Sequence, residues 1–198
     1  LDYIHILTEL WRRVYADRAV YLGDPDFYYV PVRQLTAPGY IADRMSDISL
    51  DQKTNSQDIL PGFVNSIESV ETTHVSIVDP EGNAVAMTTT LNGNFGSKVV
   101  VRGGGFLLNN EMDDFSIKAG HANQYGLVGE AANAIAPQKR MLSSMTPTIL
   151  EKDGELFVVL GTPGGATIIT SVFQALLNII DFDMTAQEAV NARKFHHQ

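Results

Sequence analysis

The sequence predicts an α+β fold in which helices are layered against antiparallel strands. Three observations predict it: an amphipathic helical pattern over residues 3–21, two hairpin patterns further along the chain, and a largely apolar helical segment over residues 166–181. Helices followed by paired strands and then by buried helices are typical of a layered α+β sandwich.

Composition excludes several classes of protein. The chain has 198 residues, of which 44% are hydrophobic and 19% charged, so it can build a sizeable core and is not disordered. A net charge of −9 argues against binding to nucleic acid or to an anionic membrane. The absence of cysteine excludes disulfides, thiolate metal sites and cysteine nucleophiles. No run approaches the ~20 apolar residues of a membrane span.

The first predicted helix covers residues 3–21. Its apolar residues recur at spacings of three and four, and they are Ile4, Leu7, Leu10, Trp11, Val14 and Tyr15. Arg12, Arg13 and Asp17 are expected on the opposite, polar face. The turn-forming segment Gly23–Asp26 ends the helix.

A short helix is predicted from Pro38 to Ser46, followed by a polar, weakly patterned segment. We interpret that segment, residues 49–70, as a mobile linker. Beyond Glu71 the pattern changes to alternating apolar and polar residues, which indicates strands.

Two hairpins are predicted in the strand region. The first turns at residues 80–83, and the second pairs residues 148–150 with 156–160. Between them we expect a strand that follows Gly103–Gly105 and ends at Leu108. A long irregular loop should then occupy residues 116–141.

Two helices are predicted after the second hairpin. The segment 166–181 is apolar nearly all round, so it should be covered on several sides. Thr185 and Glu188 form the pattern of a capping box, which predicts the start of a last helix.

Two local patterns suggest acyl-transfer chemistry. A threonine hydroxyl is a weak nucleophile, but cutting the chain just before it makes its own α-amine the base, and Thr72 opens a strand after the linker. Gly164 and Gly165 precede a buried helix, so their N–H groups could form an oxyanion hole. Taken alone, Thr72 is more typical of an ordinary strand residue and the glycine pair of a tight turn.

Five motifs occur in one order along the chain. They are Thr72-Thr73-His74-x-Ser76, Thr88-x-Thr90-Leu91-Asn92, Leu107-Leu108-Asn109-Asn110-x-Met112-Asp113-Asp114-Phe115, Leu142-Ser143-Ser144-Met145 and Pro163-Gly164-Gly165. Together they strongly resemble the γ-glutamyltranspeptidase (glutathione hydrolase) family of N-terminal-nucleophile hydrolases. Residues 15–27 and 191–198 also resemble that family, so the resemblance covers essentially the whole chain.

The resemblance implies a fold, a domain division and partners. The fold is the αββα sandwich of N-terminal-nucleophile hydrolases, of which this chain would be a fragment. Residues 1–71 would be the C-terminal part of the large-subunit region, and residues 72–198 the small-subunit catalytic region beginning at the nucleophile. The expected partners are a small γ-glutamyl substrate and the remainder of the large subunit, with no nucleic acid, no cofactor and no metal. The family resemblance also implies a periplasmic or secreted protein.

Catalytic roles are likewise implied by the resemblance. Thr72 would be the nucleophile both for cutting the Glu71–Thr72 bond and for accepting the γ-glutamyl group. Thr90 would hydrogen-bond the Thr72 hydroxyl and help to activate it. Gly164 and Gly165 would donate the oxyanion-hole N–H groups.

Substrate-binding roles come from the same resemblance. Asn92, Glu111 and Asp114 would hold the α-amino group of the substrate, as acidic and amide acceptors facing an ammonium. Ser143 and Ser144 would bind its α-carboxylate. The six substrate-binding residues implied are Asn92, Glu111, Asp114, Tyr125, Ser143 and Ser144, and among them Tyr125 would be a lid that bonds Asn92.

The expected reaction is γ-glutamyl transfer or hydrolysis through an ester on Thr72. Alternatives are a related acylase, such as a cephalosporin acylase, a poly-γ-glutamate depolymerase, or a catalytically silent, unprocessed fragment. No arginine here matches the family's carboxylate-binding arginine, and we expect this chain by itself to remain uncleaved. His74 is expected to support the local network, and His196-His197 to be structural rather than a metal pair.

Overall fold

The computed structural model describes residues 2–59, 72–124 and 126–198. The helices are α1 (Asp2–Tyr21), α2 (Val32–Leu35), α3 (Pro38–Met45), α4 (Thr167–Ile180) and α5 (Ala186–Asn191). The strands are β1 (Thr72–Val78), β2 (Ala84–Thr90), β3 (Thr148–Lys152) and β4 (Glu155–Leu160). Short 3-10 helices cover Glu111–Asp114 and Ala131–Asn133.

The described residues fall into two compact units. The first comprises residues 2–59, 112–142 and 197–198, and the second residues 72–111 and 143–196. The predicted division between residues 71 and 72 is a cleavage site in the chain. The two compact units describe packing and do not test that division, so it stays a prediction.

Helix α1 supplies the core of the first unit. The predicted helix is confirmed, and it buries Leu7, Trp11 and Tyr15 at a helical spacing of four. Ile4 and Val14, which were expected on the same face, are instead 48% and 45% exposed.

The prediction that Arg12 and Arg13 lie on a polar outer face is wrong, because both are buried. Arg13 donates to Glu9 Oε2 and to Asp47 Oδ1, each at 2.7 Å. Arg12 donates to Glu9 Oε1 at 2.6 Å. Burial of these charges is possible because the carboxylates neutralise them and satisfy their N–H groups.

The same cluster of charges anchors the segment that follows α3. Arg12 donates to Thr54 O at 3.0 Å and to Ser56 Oγ at 2.9 Å, and the Thr54 N–H donates to Glu9 Oε1 at 3.3 Å. Residues 49–59 are therefore irregular but held against α1, and their interpretation as a mobile linker is wrong. Residues 60–70 lie outside the described part of the chain.

Two antiparallel hairpins and two helices form the second unit. β1 pairs with β2, and β3 pairs with β4 with an irregularity between Leu150 and Glu151, so both predicted hairpins are confirmed. β4 lies against both strands of the first hairpin.

The two predicted C-terminal helices are present. α5 begins with the predicted capping box of Thr185 and Glu188. α4 buries Ile168 and Val172, whereas Phe173 is 40% exposed. Thr170 and Gln174, on the opposite side of the helix from Ile168 and Val172, are buried as well, so the expectation that α4 is covered on several sides is confirmed. None of the described helices is long and apolar enough to cross a membrane.

The strand predicted to end at Leu108 is absent from the described residues. Val100 and Leu107 form an isolated bridge, and the Val101 N–H donates to Phe106 O at 2.9 Å. Gly103–Gly105 allow a tight turn between Val101 and Phe106, so the paired segments on either side are too short to form a regular ladder. The described residues of the loop over 116–141 are irregular, as predicted, apart from one 3-10 turn and two isolated bridges.

The buried carboxyl of Glu9 is held in its charged form. Burial raises the pKa of Glu9, but hydrogen bonds from Arg13, Thr54 and Arg12 outweigh that effect and lower the pKa from 4.5 to about 2. A carboxyl whose pKa is lower in the folded state stabilises the protein above its unfolded pKa. That contribution is lost as the pH falls towards 2.

We expect Glu9→Gln to flatten the acid dependence of stability. Between about pH 7 and about pH 2 the wild type should lose about 3 kcal/mol more unfolding free energy than this variant. Urea unfolding can be followed by the fluorescence of Trp11, the only tryptophan in the sequence, which is buried on α1. Glu81→Gln, at an exposed turn, is the matched control and should follow the wild type. Equal acid dependence of Glu9→Gln and wild type would contradict this assignment.

Candidate active site

The β1–β2 hairpin brings two of the predicted site residues together. In its register Thr72 is the direct partner of Thr90, and His74 is the partner of Thr88. Residues two apart on a strand share a face, so all four side chains lie on one side of the sheet. Thr72 and Thr90 are both half-buried. The predicted pairing of the two strands is confirmed, whereas the catalytic roles stay predictions.

His74 organises the hydroxyl groups on this face. Its Nδ1 is 2.8 Å from Thr88 Oγ1 and its Nε2 is 3.0 Å from Ser76 Oγ. Both ring nitrogens are therefore engaged within the strand pair, which fits the predicted supporting role. A Cβ placed on Gly161 would lie 2.3 Å from the ring, so the loop after β4 begins in contact with this face.

A buried asparagine follows β2 directly. The Asn92 N–H donates to Thr90 Oγ1 at 2.9 Å, and its Nδ2 donates to Asn110 O at 3.1 Å. Asn92 has φ +72°, a left-handed conformation that asparagine tolerates better than most residues. The Gly93 N–H also donates to Asn110 Oδ1 at 2.8 Å. These bonds connect Thr90 to the segment that carries Glu111.

Asn110 is a residue whose role sequence reasoning missed. The sequence shows only that a pair of asparagines follows the predicted strand. That pattern does not reveal that Asn110 holds Asn92 and Gly93. Next to it, Glu111 is half-buried, and burial raises the pKa of its carboxyl.

The two glycines before α4 have backbones that other residues rarely adopt. Gly164 has φ +144° and Gly165 has φ +55°. Within the described chain, neither N–H has a hydrogen-bond partner. Both N–H groups lie at the positive end of the α4 dipole, which is where an anion would bind.

The two predicted carboxylate-binding serines lie in an extended segment before β3. Ser143 is exposed, and its Oγ accepts the Met145 N–H at 3.1 Å, whereas Ser144 is half-buried. They belong to the second unit with Thr72, Thr90 and the glycine pair.

Asp114 belongs to the first unit. It lines a small cavity with Arg18, Asn123 and Asn133, and Asn133 Nδ2 donates to the Asp114 carbonyl at 2.7 Å. Burial lowers the pKa of Arg18, and the charges of Tyr15 and Asp114 act in the opposite direction. Arg18 was not among the predicted site residues, because its charge interaction with Asp114 joins residues that are far apart in the sequence.

An ion pair holds the chain just before the serine motif. Arg140 donates to buried Asp24 through Nη2 to Oδ1 at 2.6 Å and through Nε to Oδ2 at 3.1 Å. These hydrogen bonds from Arg140 keep the pKa of Asp24 well below its usual range. Asp24, within the predicted large-subunit region, is thereby tied to Arg140, three residues before Ser143.

Two predicted site residues cannot be placed. Glu71, at the predicted cleavage site, and Tyr125, the predicted lid, lie outside the described residues. His196 Nδ1 is 2.8 Å from Thr170 Oγ1, which fits a structural role. In the parts of the chain that are described, no group of His, Asp and Glu side chains is arranged to hold a metal ion.

Comparison with known proteins extends over the whole chain. Residues 1–198 match the family model described as gamma-glutamyltranspeptidase. The chain is 55% identical over 196 residues to the glutathione hydrolase proenzyme of Pseudomonas aeruginosa, covering 99% of this chain and 34% of that protein. It therefore spans about a third of the length of this curated relative.

Solved structures give a consistent result. A mutant γ-glutamyltranspeptidase from Pseudomonas nitroreducens is similar with a TM-score of 0.63 and 61% identity, over 64% of this chain and 65% of that chain. A cephalosporin acylase from Bacillus halodurans is similar with a TM-score of 0.75 and 26% identity, over 96% of this chain and 32% of that chain. The predicted fold class, α+β with the N-terminal-nucleophile hydrolase architecture, is confirmed by these similarities.

The contact between Gly161 and His74 gives a test of the site geometry. Gly161→Ala would place a methyl carbon 2.3 Å from the ring, so the ring must leave its bonds to Thr88 and Ser76. We expect a loss of about 1–3 kcal/mol in unfolding free energy, measured by urea denaturation. Gly39→Ala on α3, where a Cβ meets nothing within 4 Å, should cost nothing. If both variants were equally stable, the contact would not exist.

Proposed function

The chain belongs to the γ-glutamyltranspeptidase family, and we propose that the protein of which it forms part transfers γ-glutamyl groups to water or to amines through Thr72. The observation that carries this proposal is the register of the β1–β2 hairpin. It places Thr72 at the first position of β1, directly opposite the hydroxyl-bearing Thr90. A threonine at that position becomes an N-terminal nucleophile once the preceding bond is cut.

The reaction proceeds by nucleophilic catalysis. After cleavage of Glu71–Thr72, the free α-amine of Thr72 accepts the hydroxyl proton as the oxygen attacks the γ-carbonyl. The N–H groups of Gly164 and Gly165 stabilise the oxyanion, and collapse expels the amine, which takes up the proton. The γ-glutamyl ester is then hydrolysed by water or transferred to an acceptor amine. This chemistry requires a nucleophile, a base and oxyanion donors.

The proposed substrate class is glutathione and related γ-glutamyl compounds. Asn92, Glu111 and Asp114 receive the α-ammonium group. The raised pKa of Glu111 supports this role, because a bound ammonium would stabilise the charged carboxylate that burial disfavours. Ser143 and Ser144 receive the α-carboxylate, and Tyr125 closes over the pocket.

The cleavage proposal has support from the comparisons. The curated relative from Pseudomonas aeruginosa carries the name proenzyme. The solved γ-glutamyltranspeptidase chain matches 64% of this chain, which is also the share contributed by residues 72–198. We propose that the remainder of the large subunit completes the substrate pocket. By family resemblance we place the parent protein in the periplasm or outside the cell.

An acylase of the same fold is the second candidate function. The similarity to cephalosporin acylase favours it, because it extends over 96% of this chain. The identity of 26% is much lower than the 61% to the γ-glutamyltranspeptidase, so we place γ-glutamyl transfer first. Hydrolysis of cephalosporin side chains in preference to γ-glutamyl amides would favour the acylase.

The test is made on the full-length parent protein. The wild type should be cleaved at Glu71–Thr72 and should hydrolyse a chromogenic γ-glutamyl anilide. Thr72→Ala should remain at full mass and lose hydrolysis by at least about three orders of magnitude, since it has no hydroxyl to attack with. Intact-mass analysis and the release of the coloured amine measure the two effects.

Thr73→Ala is the matched control. Thr73 neighbours Thr72 but is exposed and points to the other face of the sheet, where it pairs with Thr89. It should be cleaved and active. Cleavage of Thr72→Ala at the same bond would identify an external protease, and wild-type hydrolysis by that variant would overturn the proposed nucleophile.

A further inference from the structure

We infer that Thr167 is a positioning residue that aims one of the oxyanion-hole donors, an inference that rests on the proposed function of the glycine pair. Thr167 is the first residue of α4. Its Oγ1 donates to the carbonyl of Gly164 at 2.6 Å, and its own N–H donates to the same oxygen at 3.0 Å. Two donors on one residue thus hold a single carbonyl.

That carbonyl belongs to the peptide unit whose other end is the Gly165 N–H. A trans peptide is planar, with its C=O and N–H pointing in opposite directions. An anchor on the Gly164 oxygen therefore sets the direction of the Gly165 N–H. The anchor is needed here because both glycines are free to adopt many other backbone conformations.

The hydroxyl of Thr167 is not used to cap its helix. A threonine cap accepts from an N–H in the first turn, but the residue before α4 is Ala166 and no side-chain cap is formed there. The Thr167 hydroxyl instead donates backwards to a carbonyl outside the helix. The N–H groups of Thr167 and Ile168 donate to Gly164 O and Gly165 O, which leaves the N–H groups of the glycine pair to face an anion.

The position of Thr167 is itself secured from the next turn. Thr170 is fully buried, and its Oγ1 donates to Thr167 O at 3.1 Å and lies 2.8 Å from His196 Nδ1. Gln174 Nε2 adds bonds to Thr170 O at 2.9 Å and to Phe195 O at 2.8 Å. These hydrogen bonds hold the first turn of α4, from which the Thr167 hydroxyl supports the glycine pair.

The close approach also explains why position 164 must be glycine. A Cβ on Gly164 would lie 2.6 Å from Thr167 Oγ1, closer than real contacts allow. The glycine and the threonine hydroxyl are therefore a matched pair, in which the missing side chain makes room for the anchoring bond.

The experiment compares Thr167→Val, Thr167→Ala and Thr167→Ser in the processed parent enzyme. Loss of the hydroxyl leaves the Gly165 N–H in place but poorly aimed. We expect Thr167→Val and Thr167→Ala to lower kcat for γ-glutamyl anilide hydrolysis by about five- to thirtyfold, with KM changed less than about twofold. Thr167→Ser keeps the hydroxyl donor, so its kcat should stay within about twofold of the wild type.

Thr36→Val is the matched control, because Thr36 Oγ1 also donates to a backbone carbonyl, Val32 O at 2.8 Å, on α2, which carries none of the site residues. It should leave kcat unchanged. Cleavage at Thr72 and the melting temperature report folding of every variant.

An active wild type with unchanged kcat in Thr167→Val would overturn this inference alone. A loss confined to KM would also overturn it, as would equal losses in Thr167→Val and Thr167→Ser. If Thr167→Ser folded while Thr167→Val and Thr167→Ala did not, the hydroxyl would be structural and the inference would fall. An inert wild type would overturn the proposed function as well, and the two failures are thus separable.

Discussion

The antiparallel register between β1 and β2 is the constraint on which the site depends. It pairs Thr72 with Thr90, and a slip of one residue would turn one hydroxyl to the other face of the sheet. The turn stabilises this register, because the Asp79 carboxylate accepts two hydrogen bonds from Asn83. One comes from its backbone N–H at 2.8 Å and the other from its side-chain Nδ2 at 2.7 Å. Gly82, with φ +86°, allows the chain to reverse there.

Around this hairpin, polar groups are held by hydrogen bonds to other polar groups of the chain. His74 bonds two hydroxyls on the sheet, and Asn92 connects the end of β2 to Asn110. Gly164 is held from α4 by Thr167. We propose that a site assembled in this way is preorganised, with donors and acceptors that would need little rearrangement when charge develops on a substrate.

Elements with strong periodicity could be predicted from the sequence, and contacts between distant residues could not. α1, both hairpins, α4 and the cap of α5 follow from local patterns, and the ordered motifs indicated the family. The burial of Arg13 could not be predicted, because it depends on Asp47 and Thr54, which come close to it only in the folded chain. The anchoring of Asn92 by Asn110 has the same origin. A prediction from helical periodicity assigns charged residues to the exposed face, because the distant residues that pair with them on burial are not known from the sequence.

We propose that the register activates Thr72 through the hydroxyl of Thr90, and variants of Thr90 in the processed parent enzyme test this role most directly. Thr90 Oγ1 accepts the Asn92 N–H, so its own hydrogen can be donated to a neighbouring oxygen. Thr90→Ser should keep much of the turnover, whereas Thr90→Val should lower kcat by about two to three orders of magnitude with little change in KM. Thr89→Val, on the exposed face, should behave as wild type. Near-normal turnover in Thr90→Val, with Thr90→Ser the poorer enzyme, would contradict the account and leave Thr90 as a packed strand residue.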